Sequence, residues 1–342
     1  MKKIKTTDAM GHVLCHDMTR IIKDVSKEAI FRKGHIVTEE DIPVLLSMGK
    51  EHLYVWEKTE DMLHEDEAAG ILRNICINEN MSASEPKEGK IELFSEIDGL
   101  YKVDVKRLCR INALGEIIIA TRHTHTPVKK GDKLAGTRVI PLLIDKAKMD
   151  RAQSEAGEVP LMQVLPYQHK KAAIVVTGNE VYHGRIEDAF GPVIAKKLSE
   201  YDVDIVGKTI VDDDTAKITD TILGAISSGA DLIICTGGMS VDPDDTTPTA
   251  IRNTSAKLVT YGAPVLPGAM FLLAYYEADG KSVPILGLPG CVMYATRTIF
   301  DLVLPRVMAG DILTAEDFSA LGHGGLCLKC DVCTYPNCGF GK

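Results

Sequence analysis

Between residues 171 and 312, continuous apolar runs alternate with segments of helical spacing, and this rhythm limits the fold more than any other feature. AAIVVT precedes a helix over about 191–200, and VDIVGKTIV precedes TAKITDTILGAISSG. DLIICT precedes the short TTPTAIRN, and VPILGLPG runs into CVMYATRTIFDLVLPRVM, which reads as one long helix. In TAKITDTILGAISSG, Thr215 is the expected cap, and Ile218, Ile222 and Ile226 share a face. Strands that are apolar on both sides need cover on both sides. The expectation is therefore an α/β fold, a three-layer arrangement with a parallel sheet between helices.

In open parallel sheets, ligands bind beyond the carboxyl ends of the strands. Here those ends gather glycines and acids. AAIVVT closes on Thr177, Gly178 and Glu180, and the next strand on Asp212, Asp213 and Asp214. IICT leads into Thr236, Gly237, Gly238, Ser240, Asp242, Asp244 and Asp245, while Gly287, Pro289 and Gly290 lead into a helix. Glycine lets backbone approach a ligand closely, and the free N–H groups of a helix start suit an anion. Carboxylates beside a phosphate repel it unless a hard cation such as Mg²⁺ joins the two. Taken singly, DDD is a solvated turn with a helix cap and GLPG a plain turn. Their meeting at successive strand tips argues for a ligand site.

The remaining chain divides by texture. Residues 1–80 form an α/β segment. It holds a helix at TEEDIPVLLSMG capped by Thr38 and stopped by Gly49, a strand HLYVW with Trp56 in packing, and a helix carrying Ala68, Leu72 and Cys76. After a loop at 81–89, residues 90–146 are a β-rich module, 147–170 a polar linker, 171–312 the α/β domain and 313–342 a cysteine-rich tail. A net charge of -9 lacks the basic footprint of nucleic-acid binding. With no bilayer-length apolar run and no apolar stretch behind MKKIKTTDAMGHVL, a soluble cytoplasmic chain is expected.

TGNEV at 177–181, DDTAKI at 213–218, CTGGMSVDPDD at 235–245 and GLPG at 287–290 fall in the order and spacing of one family. The region resembles the molybdopterin-binding domain of molybdopterin molybdotransferases (MoeA-like) and adenylyltransferases (MogA-like). GHVLCHDM and GHIVTEEDIPVLLSMGKEHLYVW also resemble pieces of MoeA-like chains. The resemblance implies that Glu180, Asp213 and Asp245 handle Mg²⁺ and molybdate, with Asp242 as a further metal ligand. It implies that Thr177, Gly178, Thr236, Gly237, Gly238, Ser240, Pro267 and Gly268 hold pterin and phosphate, alongside Gly287, Pro289 and Gly290. The implied reaction is Mg-dependent insertion of molybdate into molybdopterin or adenylyl-molybdopterin, in a homodimer; a molybdoenzyme partner is expected only for the cysteine-rich tail, which lies outside the family pattern. The chain departs from the pattern at Asn179, Asp242, Leu266, Ala269, Cys291 and Val292; two of these, Leu266 and Ala269, stand where lysines are expected. Losing two cations weakens charge stabilisation in a transition state, so binding is implied more directly than turnover. GRIED and PDDTTPTAI also resemble CinA-type proteins, whose pattern would use Asp244, Asp245 and Thr247 on a nucleotide substrate. A non-catalytic molybdopterin carrier is the third reading.

Of nine cysteines, Cys327, Cys330, Cys333 and Cys338 fall in CLKCDVCTYPNC with spacing C-x2-C-x2-C-x4-C. Four close thiolates suit one metal centre, either zinc or a [4Fe–4S] cluster. The first three match bacterial iron–sulfur spacing; the last gap is one residue longer and no proline follows.

Overall fold

The computed structural model describes residues 2–22, 26–55, 61–278 and 280–342, so Trp56 lies outside the described residues. The chain forms two compact units. One comprises Met1–Ile97, Tyr101–Thr124 and Val128–Val164; the other comprises Asp98–Leu100, His125–Pro127 and Leu165–Lys342.

In the first unit, strands Met81–Ala83, Lys90–Ser95, Lys133–Val139 and Ile117–Thr121 pair in that order as an antiparallel sheet. Helix Glu65–Cys76 buries Ala68, Leu72 and Cys76 in a core with Leu93, Ile111 and Ile119. The N-terminal helix runs Asp41–Ser47, and Thr38 does not cap it: Thr38 N donates to the Asp41 carboxylate at 2.8 Å. Residues 147–170 also differ from the linker reading. They hold helix Lys146–Ala156, whose start is capped by Asp145 accepting from Ala147 N at 2.8 Å, and strand Met162–Pro166. Met149, Ala152 and Ala156 form the buried stripe of that helix. Its polar face hides the pattern, because three small or flexible apolar residues carry the whole contact.

The second unit holds the alternating region. Its strands are β1 (Lys171–Thr177), β2 (Asp204–Val211), β3 (Leu232–Thr236), β4 (Lys257–Tyr261), β5 (Leu272–Ala278) and β6 (Lys281–Leu288). The order is β2-β1-β3-β6-β5-β4. The first four are parallel, whereas β5 and β4 join antiparallel. The sheet is therefore mixed, not wholly parallel. Helices α1 (Asn179–Tyr182), α2 (Phe190–Leu198), α3 (Thr215–Ser227), α4 (Thr247–Asn253), α5 (Ile299–Met308) and α6 (Ala315–Ala320) complete the unit.

Pleating sends alternate residues of β1 to opposite faces. Ala172, Ile174 and Val176 pack with Ile194 of α2 and Phe300 and Val303 of α5. Ala173 and Val175 pack with Ile218 and Ile222 of α3 and Ile251 of α4. Each face thus carries its own helical layer. The stretch after β6 is not one long helix. A single 3₁₀ turn, Gly290–Met293, ends before Thr298, whose extended backbone opens α5 with a capping box to Asp301.

Candidate functional site

The tips of β1, β2 and β3 meet at one edge of the sheet. After β1, Gly178 turns at φ 136° and hands Asn179 N to the Asp213 carboxylate at 2.9 Å. From the β3–α4 loop, Thr246 Oγ1 donates to the Asp213 carbonyl at 2.8 Å. Thr177 and Thr247 share a buried hydroxyl hydrogen bond of 2.9 Å. Three segments distant in sequence are therefore pinned together around Asp213.

The three aspartates after β2 have separate duties. Asp214 caps α3, accepting from Ala216 N at 2.9 Å and Lys217 N at 3.0 Å, a role the sequence reading gave to Thr215. Asp212 pairs with Lys217 at 2.6 Å, and that hydrogen bond lowers its pKa; its other oxygen is buried with no partner among the described residues. Asp213 is shifted the other way. Burial raises its pKa, the Asn179 hydrogen bond opposes this, and the charges of Glu180, Asp244 and Asp212 raise it again. The charges of Glu180, Asp244 and Asp212 are thus all felt at Asp213.

Gly237 and Gly238 sit at φ 86° and 52°. A Cβ on Gly237 would fall 2.0 Å from the Thr177 carbonyl oxygen, and one on Gly238 3.0 Å from Thr247 Oγ1. Bare backbone here is what lets the tips of β1 and β3 close on each other. Thr236 Oγ1 is fully buried beside them, without a partner among the described residues. Buried hydroxyls in folded proteins are nearly always bonded, so this orphan marks a polar contact that the described residues do not supply.

Residues 173–309 match the family described as a probable molybdopterin binding domain. The matched stretch lies in the second unit. Residues 3–57 match a second family, described only as a domain of unknown function. CinA-like proteins are similar over a shorter stretch. The one from Mycobacterium sp. (strain MCS) is 42% identical over 77 residues, 22% of this chain and 18% of the relative. The one from Mycobacterium tuberculosis (strain ATCC 25618 / H37Rv) is 40% identical over 77 residues. The chain thus spans about a fifth of the length of the curated relatives it matches. Among solved structures, tungsten cofactor synthesizing protein MoaB from Pyrococcus furiosus is similar at 20% identity and TM-score 0.35, covering 41% of this chain and 93% of that one. CinA from Thermoplasma acidophilum is similar at 18% identity and TM-score 0.34, covering 41% and 98%.

Within the matched region, the sequence-predicted residues separate into groups. Asp242 and Asp245 close a turn on each other: Asp242 N donates to the Asp245 carboxylate and Asp245 N to the Asp242 carbonyl, each at 3.0 Å. Asp245 acts on Tyr261, whose pKa is raised by burial and then by that carboxylate. Tyr261 OH donates at 3.1 Å to the carbonyls of Met239 and Ser240, fixing the loop that carries Ser240. Asp244 is thus the member of this run that joins Asp213.

Gly287 is not at a tip. It lies in β6 opposite Cys235, and a Cβ there would strike Met239 at 2.5 Å, so its bareness serves packing. Pro289 and Gly290 begin only the short 3₁₀ turn, too brief to build the helix-start anion site expected from sequence. Gly268, at φ 133°, faces Ile299 at the start of α5, where a Cβ would come within 2.4 Å. Cys291 has a pKa raised by burial, the opposite of an activated thiol.

Among the described residues, no three His, Cys, Asp or Glu side chains stand together as a ready-made metal centre. Asp213, Asp242 and Asp245 therefore form no preformed Mg²⁺ site, and the four tail cysteines no closed tetrahedral one. The residues missed from sequence are Thr246, Tyr261 and the main chain of Asn179. Thr246 was signalled by its place just before α4; nothing in the sequence pattern singles out Tyr261.

Proposed function

We propose that this protein binds molybdopterin, free or adenylylated, at the joined tips of β1, β2 and β3, and inserts molybdate there with Mg²⁺. The observation that carries the reading is the placing of Asp213, which feels the charges of Glu180, Asp244 and Asp212, at the strand tips closed by the bare backbone of Gly237 and Gly238. Burial first, then those charges, raises its pKa, and neighbouring carboxylates are donors that a hard cation satisfies. Mg²⁺ drawn to Asp213, Glu180 and Asp244 would neutralise phosphate and molybdate oxygens. Asp213 keeps Oδ2 on Asn179 N and presents Oδ1 as a proton acceptor, its raised pKa suiting that task. The tail cysteines hold a metal of their own, iron–sulfur or zinc.

The test is molybdopterin binding and molybdate insertion by the wild type and by Asp213→Asn and Asp244→Asn. Wild type binds the pterin and inserts molybdate only with Mg²⁺; each variant loses insertion by about 10²-fold or more. Absence of pterin binding by wild type overturns the proposal. Binding without insertion supports a carrier instead.

One observation favours a second reading. Asp244 acts electrostatically on Asp213 and Thr247 is bonded to Thr177, and Asp244 and Thr247, with Asp245, are the residues that a CinA-like nucleotide pyrophosphatase would use. Mg-dependent hydrolysis of ADP-ribose, with no pterin bound, would decide for it.

A further inference from the structure

The cysteine tail is anchored in the second unit by contacts of its own. Phe340 is buried, and Tyr335 OH donates to the Asp301 carbonyl at 2.7 Å. Gly341 N donates to the Gly324 carbonyl at 2.9 Å. A parallel bridge joins Leu326 to Leu266, with Leu266 N bonded to Gly325 O and Cys327 N to Leu266 O, both at 2.8 Å.

Cys327, Cys330, Cys333 and Cys338 all line one cavity of about 460 Å³. Zinc bonded to four thiolates at about 2.3 Å draws the sulfurs to within about 3.8 Å of one another, leaving no cavity. In a [4Fe–4S] cubane each thiolate holds a different iron, so the four sulfurs surround a volume instead of a point.

The charge on the wall matches. A cubane with four thiolates carries about two net negative charges. Arg297 and Lys329 line the cavity. Arg297 bonds Asp301 at 2.8 Å, and it reaches the Cys333 side chain. Its Nε is buried with no partner among the described residues.

We propose that this cavity is a [4Fe–4S] site, ligated by Cys327, Cys330, Cys333 and Cys338, with Arg297 hydrogen-bonded to the cluster. The proposal refines the metal reading of the tail given above, on which it rests. Uptake of a preformed cluster is ligand exchange: each thiol releases one proton to solvent as its sulfur bonds iron, and no electron is transferred. Because Cys327 is tied to Leu266, the cluster stands next to the Pro267–Gly268 loop.

Full-length protein isolated without oxygen, and protein reconstituted with ferric iron, sulfide and dithiothreitol, would be assayed for iron, labile sulfide and zinc. About four irons and four sulfides per chain are expected, with visible charge-transfer absorption that bleaches on reduction. Cys330→Ser/Cys333→Ser loses both signals with unchanged circular dichroism, while Cys109→Ser, at an exposed cysteine of the first unit, keeps them. One zinc per chain that reconstitution does not displace overturns the cluster but leaves the metal reading standing. No bound metal under either condition overturns both. Iron retained by the double variant places the cluster elsewhere and also overturns the proposal.

Discussion

Replacing Gly237 by alanine tests the closure of the strand tips directly. The new Cβ would lie 2.0 Å from Thr177 O, 2.8 Å from Thr177 Oγ1 and 2.9 Å from Thr177 C, all below the 3.0 Å that real Cβ atoms respect. The obstacle is mainly backbone, so a rotamer change cannot remove it; the tips of β1 and β3 must part. Left-handed backbone costs a residue with a Cβ about 1–2 kcal/mol, and overpacking a further ~1–3 kcal/mol. The sum is about 2–5 kcal/mol, and at ~2–4 °C per kcal/mol for a unit of this size the melting point falls by roughly 10 °C. Gly229→Ala is the matched control. It has φ 95° with nothing within 4 Å, so it bears only the backbone cost, about 1–2 kcal/mol. Thermal unfolding of both full-length variants, followed by circular dichroism, measures the difference. If Gly237→Ala loses no more stability than Gly229→Ala, the close approach of the two tips is refuted.

Three further outcomes are expected. Burial, then the neighbouring Asp66 charge, raises the pKa of Glu65 from 4.5 to about 7. A folded pKa above the unfolded one gives stability that is full below the unfolded value and lost as pH rises through the folded value. Glu65→Gln should therefore stabilise the first unit above about pH 7, by at most ~3 kcal/mol, and have little effect near pH 4; a pH-independent difference in denaturant unfolding would contradict this. By the same sign, Asp213→Asn should stabilise the ligand-free protein increasingly as pH rises above the ordinary carboxylate range, and a loss of stability there would count against the crowded acids. Asp301 is buried and holds both Lys197 at 2.6 Å and Arg297 at 2.8 Å. Asp301→Ala should cost about 3–5 kcal/mol, more than the ~1 kcal/mol of Thr298→Ala, which removes only a cap; equal losses in urea unfolding would refute the difference.

How much was legible depended on what each element shows to solvent. The strands of β1, β3 and β6 are apolar on both faces and stand out in the sequence, because helices cover both sides. The antiparallel pair was missed for two reasons. LLAYYEA is a short apolar run that does not distinguish strand from helix, and KLVTY is an edge strand with only half-buried side chains. The break before α5 was also illegible, since an apolar helical pattern continues across it; only the capping pair Thr298 and Asp301 marks the true start. Helix Lys146–Ala156 was hidden by its polar majority.

At the strand tips the residue types were readable but their partners were not. DDD and DPDD announce six acids without saying which are neutralised locally. The fold disposes of most of them by ordinary means. Asp214 becomes a cap, Asp212 pairs with Lys217, and Asp242 and Asp245 close a turn. What remains is Asp213 with Glu180 and Asp244, whose repulsion nothing in this group offsets except a main-chain N–H. The glycines are explained just as locally, by Thr177 and Thr247. Neither the acids nor the glycines therefore point to a ligand merely by being numerous. What is left over is Asp213 with its acidic neighbours and the orphaned Thr236 hydroxyl at the same sheet edge, and under the proposed function a bound cation would relieve the repulsion at Asp213.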